Sequence, residues 1–87
     1  MKLRYHKNFL KSFKLRIEPK VALSKRLSSR LKLFMEDSTD PILKDHRLRG
    51  EKSEYRSFSV TGDIRVVYKI VKDEIWLYDV GSHNQVY

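Results

Sequence analysis

Two histidines (His46 and His83), an aspartate (Asp63), an arginine (Arg65) and a tyrosine (Tyr87) carry the chemical potential of this chain. Together such groups could break a phosphodiester without a metal. One takes a proton from a 2′-hydroxyl, one gives a proton to the leaving 5′-oxygen, and a guanidinium stabilises the charge that develops between them. Scattered histidines are also compatible with incidental surface positions, and His6 reads as such a residue near the start of a helix. Other chemistries find less support. His46 and His83 are 37 residues apart, and neither belongs to a short metal-ligand cluster such as HExxH. No cysteine is present, so neither thiolate chemistry nor a disulfide framework is available. With 3 glycines the chain has no phosphate-cradling loop, and no serine sits in a GxSxG elbow.

Positioning these groups requires a scaffold, and its elements are legible as periodicities. KLRY (2–5) suits a short first strand. Phe9, Leu10 and Phe13 recur at helical spacing. Pro19 stands where the first turn of a second helix favours proline. From there to Glu36, Leu23, Leu27, Leu31 and Phe34 mark one apolar face, with Lys25, Arg26, Arg30 and Lys32 mostly on others. Residues 37–54 break the pattern with Asp, Ser, Pro and Gly, and read as a long surface connection that carries His46. Strands follow at 55–60, 64–71 and 75–80, joined by TGD and KDE turns, with GSHNQVY after the last. Arg65 alternates with Ile64 and Val66 and so faces away from them. The reading is an α+β two-layer sandwich, with a helical hairpin on one face of an antiparallel meander.

The 87 residues suit one domain, and a 40% hydrophobic content with 34% charge suits a globular one. No apolar run approaches the roughly 20 residues of a membrane span, and the charged N-terminal stretch does not suit a signal peptide. A cytoplasmic location is the expectation. The net charge of +8 is uneven: residues 1–50 hold 14 basic and 5 acidic side chains, whereas residues 51–87 hold 5 and 6. Such a field attracts phosphates or an acidic partner, and equally serves as a solvated surface.

DHRLRG, YRSFSVTGDIRVVYKI and EIWLYDVGSHNQVY, in that order, resemble the RelE/StbE toxins of bacterial toxin–antitoxin modules, and within them the YafQ-type messenger-RNA interferases. The resemblance covers roughly residues 40–87 by motif and the basic first half by layout. It implies a β-α-α-β-β-β fold. It also implies a ribosome-dependent, metal-independent endoribonuclease that cuts messenger RNA in the ribosomal A site and leaves a 2′,3′-cyclic or 3′-phosphate. On this resemblance His46 and His83 match the family's catalytic histidines, Asp63 its turn aspartate and Tyr87 its closing aromatic. Arg65 and Arg56 match a RelE arginine and lysine. Ser59 and Asp79 stand where YafQ has a histidine and an arginine, so the set mixes the two patterns. His46 or Asp63 is the expected base, His83 the acid, Arg65 the phosphorane stabiliser and Tyr87 the nucleotide-orienting ring. Arg47, Arg49, Lys52 and Arg56 are expected on the phosphates. The implied partners are ribosome-bound messenger RNA, ribosomal RNA and a cognate antitoxin in a hetero-oligomeric complex, with no membrane and no cofactor. Two other functions fit the same fold: a ParE-like gyrase inhibitor, and a basic RNA- or ribosome-binding domain without catalysis.

Overall fold

Apolar stripes on two helices and alternation in three strands can be buried together only by stacking the helices on one face of a sheet. The computed structural model, which describes residues 1–87, does this. Its elements are β1 (Lys2–Tyr5), α1 (Lys7–Arg16), α2 (Val21–Glu36), β2 (His46–Arg47), β3 (Arg56–Ser59), β4 (Ile64–Val71), β5 (Glu74–Ser82) and α3 (His83–Val86). The strands form one sheet in the order β1-β5-β4-β3-β2. Neighbours from β2 to β5 are antiparallel, while β1 joins β5 in parallel, so the sheet is mixed.

The core lies between helices and sheet. Phe34 stacks on Phe58 with ring centroids 4.6 Å apart and meets Tyr68 edge-on at 4.8 Å. Leu27 and Phe34 are buried, and Leu23 and Leu31 pack beside them, as the α2 stripe requires. On α1 the stripe is narrower than its spacing suggests, because Phe9 is buried but Leu10 is 53% exposed. The second helix starts at Val21 and not at Pro19. The amides of Glu18 and Lys20 bond back to the Phe13 and Ile17 carbonyls, so Pro19 falls inside the interhelical turn.

Edges and irregularities shape the site. Beyond β1, α1 takes over the open edge of β5: Asn8 Nδ2 donates to the Tyr78 carbonyl at 3.0 Å and Arg16 Nη1 to the Val80 carbonyl at 3.1 Å. The register slips between Val67, opposite Asp79, and Tyr68, opposite Leu77, leaving Tyr78 as the extra residue of a bulge. Leu77 and Val80 can therefore both face the helices.

The connection 37–54 is more structured than its composition suggests. It contains two 3-10 turns (Pro41–Leu43 and Gly50–Lys52), β2 between them, and buried Leu43 and Leu48. Asp45 clamps it to the sheet, accepting from Arg56 Nε at 2.9 Å and from the Tyr68 hydroxyl. Burial, then this carboxylate, holds the Tyr68 phenol well above its ordinary range. Burial opposes the Arg56 charge, but hydrogen bonding to Asp45 and Tyr68 outweighs it and raises that group as well.

Candidate active site on the open face of the sheet

The face of the sheet away from α1 and α2 carries the odd-numbered residues of β3 and β4: Ser57 and Ser59, Arg65 and Val67. Over it folds α3. Ser82 and Gln85 form a reciprocal capping box, and Val86 is buried with Leu48 and Val67 in a second small cluster that Tyr55 borders. Lys52 Nζ donates to the Val86 carbonyl at 2.9 Å. Gly81 makes this return possible, since a Cβ there would lie 2.7 Å from both Arg16 Nη1 and Gln85 Oε1. The GSHNQVY segment is thus strand, then helical turn, anchored from three sides.

Anchoring places Tyr87 between two histidines. Its ring lies 4.4 Å from that of His83 and 6.4 Å from that of His46, edge-on to both. Its hydroxyl pairs with the fully buried Ser57 Oγ. His46 is held from the other side: its Nδ1 is 2.9 Å from the Lys44 carbonyl, which Lys44 presents by adopting a left-handed conformation (φ 48°). A carbonyl can only accept, so Nδ1 carries the proton of the neutral ring and Nε2 is left as a proton acceptor. His46, Arg47, Leu48, Arg49, Lys52 and Tyr87 line a groove of about 420 Å³.

Arg65 lies on the same face, opposite Ser59 on β3 and Gly81 on β5. Its Nη1 is buried and has no hydrogen-bond partner. Buried polar atoms are nearly always satisfied, so an orphaned guanidinium N–H is an unusual feature. Asp63 sits in the turn before β4. The register that pairs Ile64 with Ser82 brings this turn to the end of the sheet where His83 begins α3. Its exposed carboxylate accepts no hydrogen bond within the chain.

His46, Arg65, His83 and Tyr87 therefore share one face, with Arg47, Arg49 and Lys52 at its rim and Asp63 at its end. Arg56 is not brought to this set. It pairs with Tyr68 in register, on the helix-facing side, and its Nε is committed to Asp45. Asp79 turns to Arg16, 3.5 Å away, and not to Arg56 or Arg65. Ser57 was not among the expected site residues, although it holds the Tyr87 hydroxyl. No group of three or more His, Cys, Asp or Glu is assembled as a metal-ligand cluster, and no helix is long and apolar enough to cross a membrane.

Over residues 1–87 the chain matches the family model described as a bacterial toxin of type II toxin–antitoxin system, YafQ. Among solved structures, YafQ from E. coli strain BL21(DE3) superposes with a TM-score of 0.85 at 20% identity, covering 99% of this chain and 97% of that one. A copper-bound mutant toxin from Helicobacter pylori gives a TM-score of 0.78 at 27% identity, covering 100% and 99%. The E. coli DinJ–YafQ complex gives 0.81 at 22% identity, covering 99% and 97%. No curated protein matches the chain closely enough to count as a relative.

Proposed function

The chain belongs to the YafQ family of bacterial type II toxins, and from that premise we propose that it is a ribosome-dependent endoribonuclease. It cuts messenger RNA in the ribosomal A site and so arrests translation. One observation carries the reading: two histidine rings flank the Tyr87 ring on the same face of the sheet that bears Arg65.

The chemistry needs no metal. Nε2 of His46 takes the proton of the 2′-hydroxyl, whose oxygen then attacks the adjacent phosphorus in line. The P–O5′ bond breaks, His83 protonates the departing 5′-oxygen, and a 2′,3′-cyclic phosphate remains. Arg65, half-buried on the same face, is the guanidinium that stabilises the phosphorane oxygens. Tyr87, fixed through Ser57, packs against the nucleotide and sets its angle. The Lys44–His46 contact supports His46 over Asp63 as the base. Arg47, Arg49 and Lys52 hold the flanking phosphates. By analogy with the DinJ–YafQ complex, a cognate antitoxin is the proposed protein partner, attracted by the basic first half.

The test is cleavage on programmed ribosomes with the messenger-RNA ends mapped. The wild type cuts at codon-linked positions, and His46→Gln and His83→Gln each slow cutting by roughly 10²- to 10⁴-fold. Wild-type cutting that persists in the double variant refutes the mechanism. Inhibition of gyrase supercoiling without RNA cleavage refutes the function in favour of the ParE-like one.

A further inference from the structure

A groove of about 640 Å³ lies at the other end of the same face, away from His46 and His83. Tyr55, Trp76, Tyr78 and His6 line it, with Lys69 and Lys72 among its walls. The rings form a connected set: Tyr78 is 5.1 Å from Tyr55 and 4.8 Å from His6. Lys69 Nζ lies 5.6 Å from the Tyr55 centroid. Trp76 Nε1 donates to Glu74 Oε1 at 3.3 Å, which fixes the indole. That carboxylate is itself neutralised by Arg4, 2.9 Å from its other oxygen. Asp73 also lines the groove, and Lys69 is shared with Glu54, 3.1 Å away. Half-buried aromatic rings beside two lysines, at the end of the face that α3 leaves open, nevertheless form a surface suited to unpaired bases. Every base presents a π-face to stack, and the lysines attract its phosphate.

Continuity argues for this occupant. A smaller cavity lined by Lys52, Tyr55, Val67 and Tyr78 lies between the two grooves and shares walls with both, Lys52 with the histidine groove and Tyr55 and Tyr78 with the aromatic one. Along β4 the separation from Arg65 to Lys69 is about 13 Å at strand rise, a distance that a few nucleotides cover by passing over Val86 and Leu48, which bury Val67 between them. We propose that this groove is a stacking subsite for an unpaired base of the RNA strand, a few nucleotides from the bond that is cut. The identity of the ligand rests on the RNA-cleaving reading above.

Trp76 is the only tryptophan and so reports directly. The probe is 2′-O-methyl RNA, which lacks the attacking hydroxyl and remains intact with the wild-type protein. A hexanucleotide is expected to quench Trp76 fluorescence, while a dinucleotide, too short to bridge the track, binds without reaching it. By anisotropy of a labelled hexanucleotide, Trp76→Ala is expected to weaken binding roughly 5- to 150-fold. Lys69→Gln, which also removes the ion pair with Glu54, is expected to flatten the salt dependence by about one phosphate contact. The subsite is refuted if the hexanucleotide binds with Trp76 emission unchanged and both variants bind it like the wild type. It is equally refuted if an acidic peptide, and not RNA, quenches Trp76. The ribosomal cleavage assay is scored separately: a protein that cuts messenger RNA but shows no quenching loses the subsite alone, and one that shows quenching but does not cut loses the catalytic reading alone.

Discussion

The pair formed by Ser57 and Tyr87 couples burial to position. Ser57 Oγ is fully buried and its partner is the Tyr87 hydroxyl, so removing that hydroxyl leaves a buried polar group unsatisfied. Such a loss costs about 1–3 kcal/mol, whereas removing both partners is nearly neutral. Tyr87→Phe and Ser57→Ala should therefore each lower stability by more than the double variant does. A double-mutant cycle read by urea denaturation measures the coupling, and strictly additive effects would show that the contact is unimportant. Cleavage by Tyr87→Phe should fall further than its stability loss explains. At this scale the sequence was informative about identity and less so about direction. His46, Arg65, His83 and Tyr87 are gathered on one face, but Arg56 shares its parity along β3 with buried Phe58, and that alternation already placed it on the helix side. Ser57 left no signal beyond its complementary parity, because a serine in a strand reads as neutral until its partner is known.

At the scale of elements, the clamp on the 37–54 connection responds to pH. The Tyr68 phenol is raised above its unfolded value by burial and by Asp45. Its contribution is therefore complete below the unfolded phenol range and is lost as pH rises above about 10, where the unfolded chain ionises and the folded one does not. Tyr68→Phe should lower the thermal midpoint at neutral pH and flatten its decline above pH 10. An unchanged alkaline limb would assign that decline to other groups. The second clamp is apolar. Val86 is 3% exposed, and Val86→Ala should cost about 2 kcal/mol and release α3. Proteolysis near residue 83 should report this release, and cleavage of RNA should fall with it. The two long strands, β4 and β5, were legible because alternation over several residues has few alternative explanations. Two-residue β2 and four-residue α3 are shorter than any periodicity can register. Ser82 and Gln85 did carry a capping-box signature for α3. The bulge at Tyr78 left no local signature, since it arises from pairing with β4.

On the function proposed above, the charge of the whole molecule sets how it meets RNA. With +8 overall and the excess confined to residues 1–50, association with RNA should be steered and salt-sensitive. If Arg47, Arg49, Lys52 and Arg65 each meet a phosphate, the logarithm of affinity for a single strand should fall with the logarithm of salt at a slope of about −3. Arg49→Gln should reduce that slope by roughly one. A slope near zero would mean that the basic surface serves another partner. The fold as a whole was readable because its two layers follow from amphipathic patterns. What those patterns could not supply is which edge of the sheet β1 occupies.

That edge has a consequence for the chain during its own synthesis. Lys2 pairs with Glu74 and Tyr5 with Leu77, so the first strand made must wait for the last strand before it has a neighbour. Contacts so distant in sequence form late and slow folding. Until β5 emerges, Phe34 can meet Phe58 and Tyr68 of the β3–β4 hairpin, but β1 and the edge of β4 that β5 will cover stay unpaired, exposed surface of the kind chaperones bind. The nascent chain also lacks the face on which His83 and Tyr87 come to rest. On the function proposed above, cleavage of messenger RNA is thereby withheld from the ribosome that is making the chain.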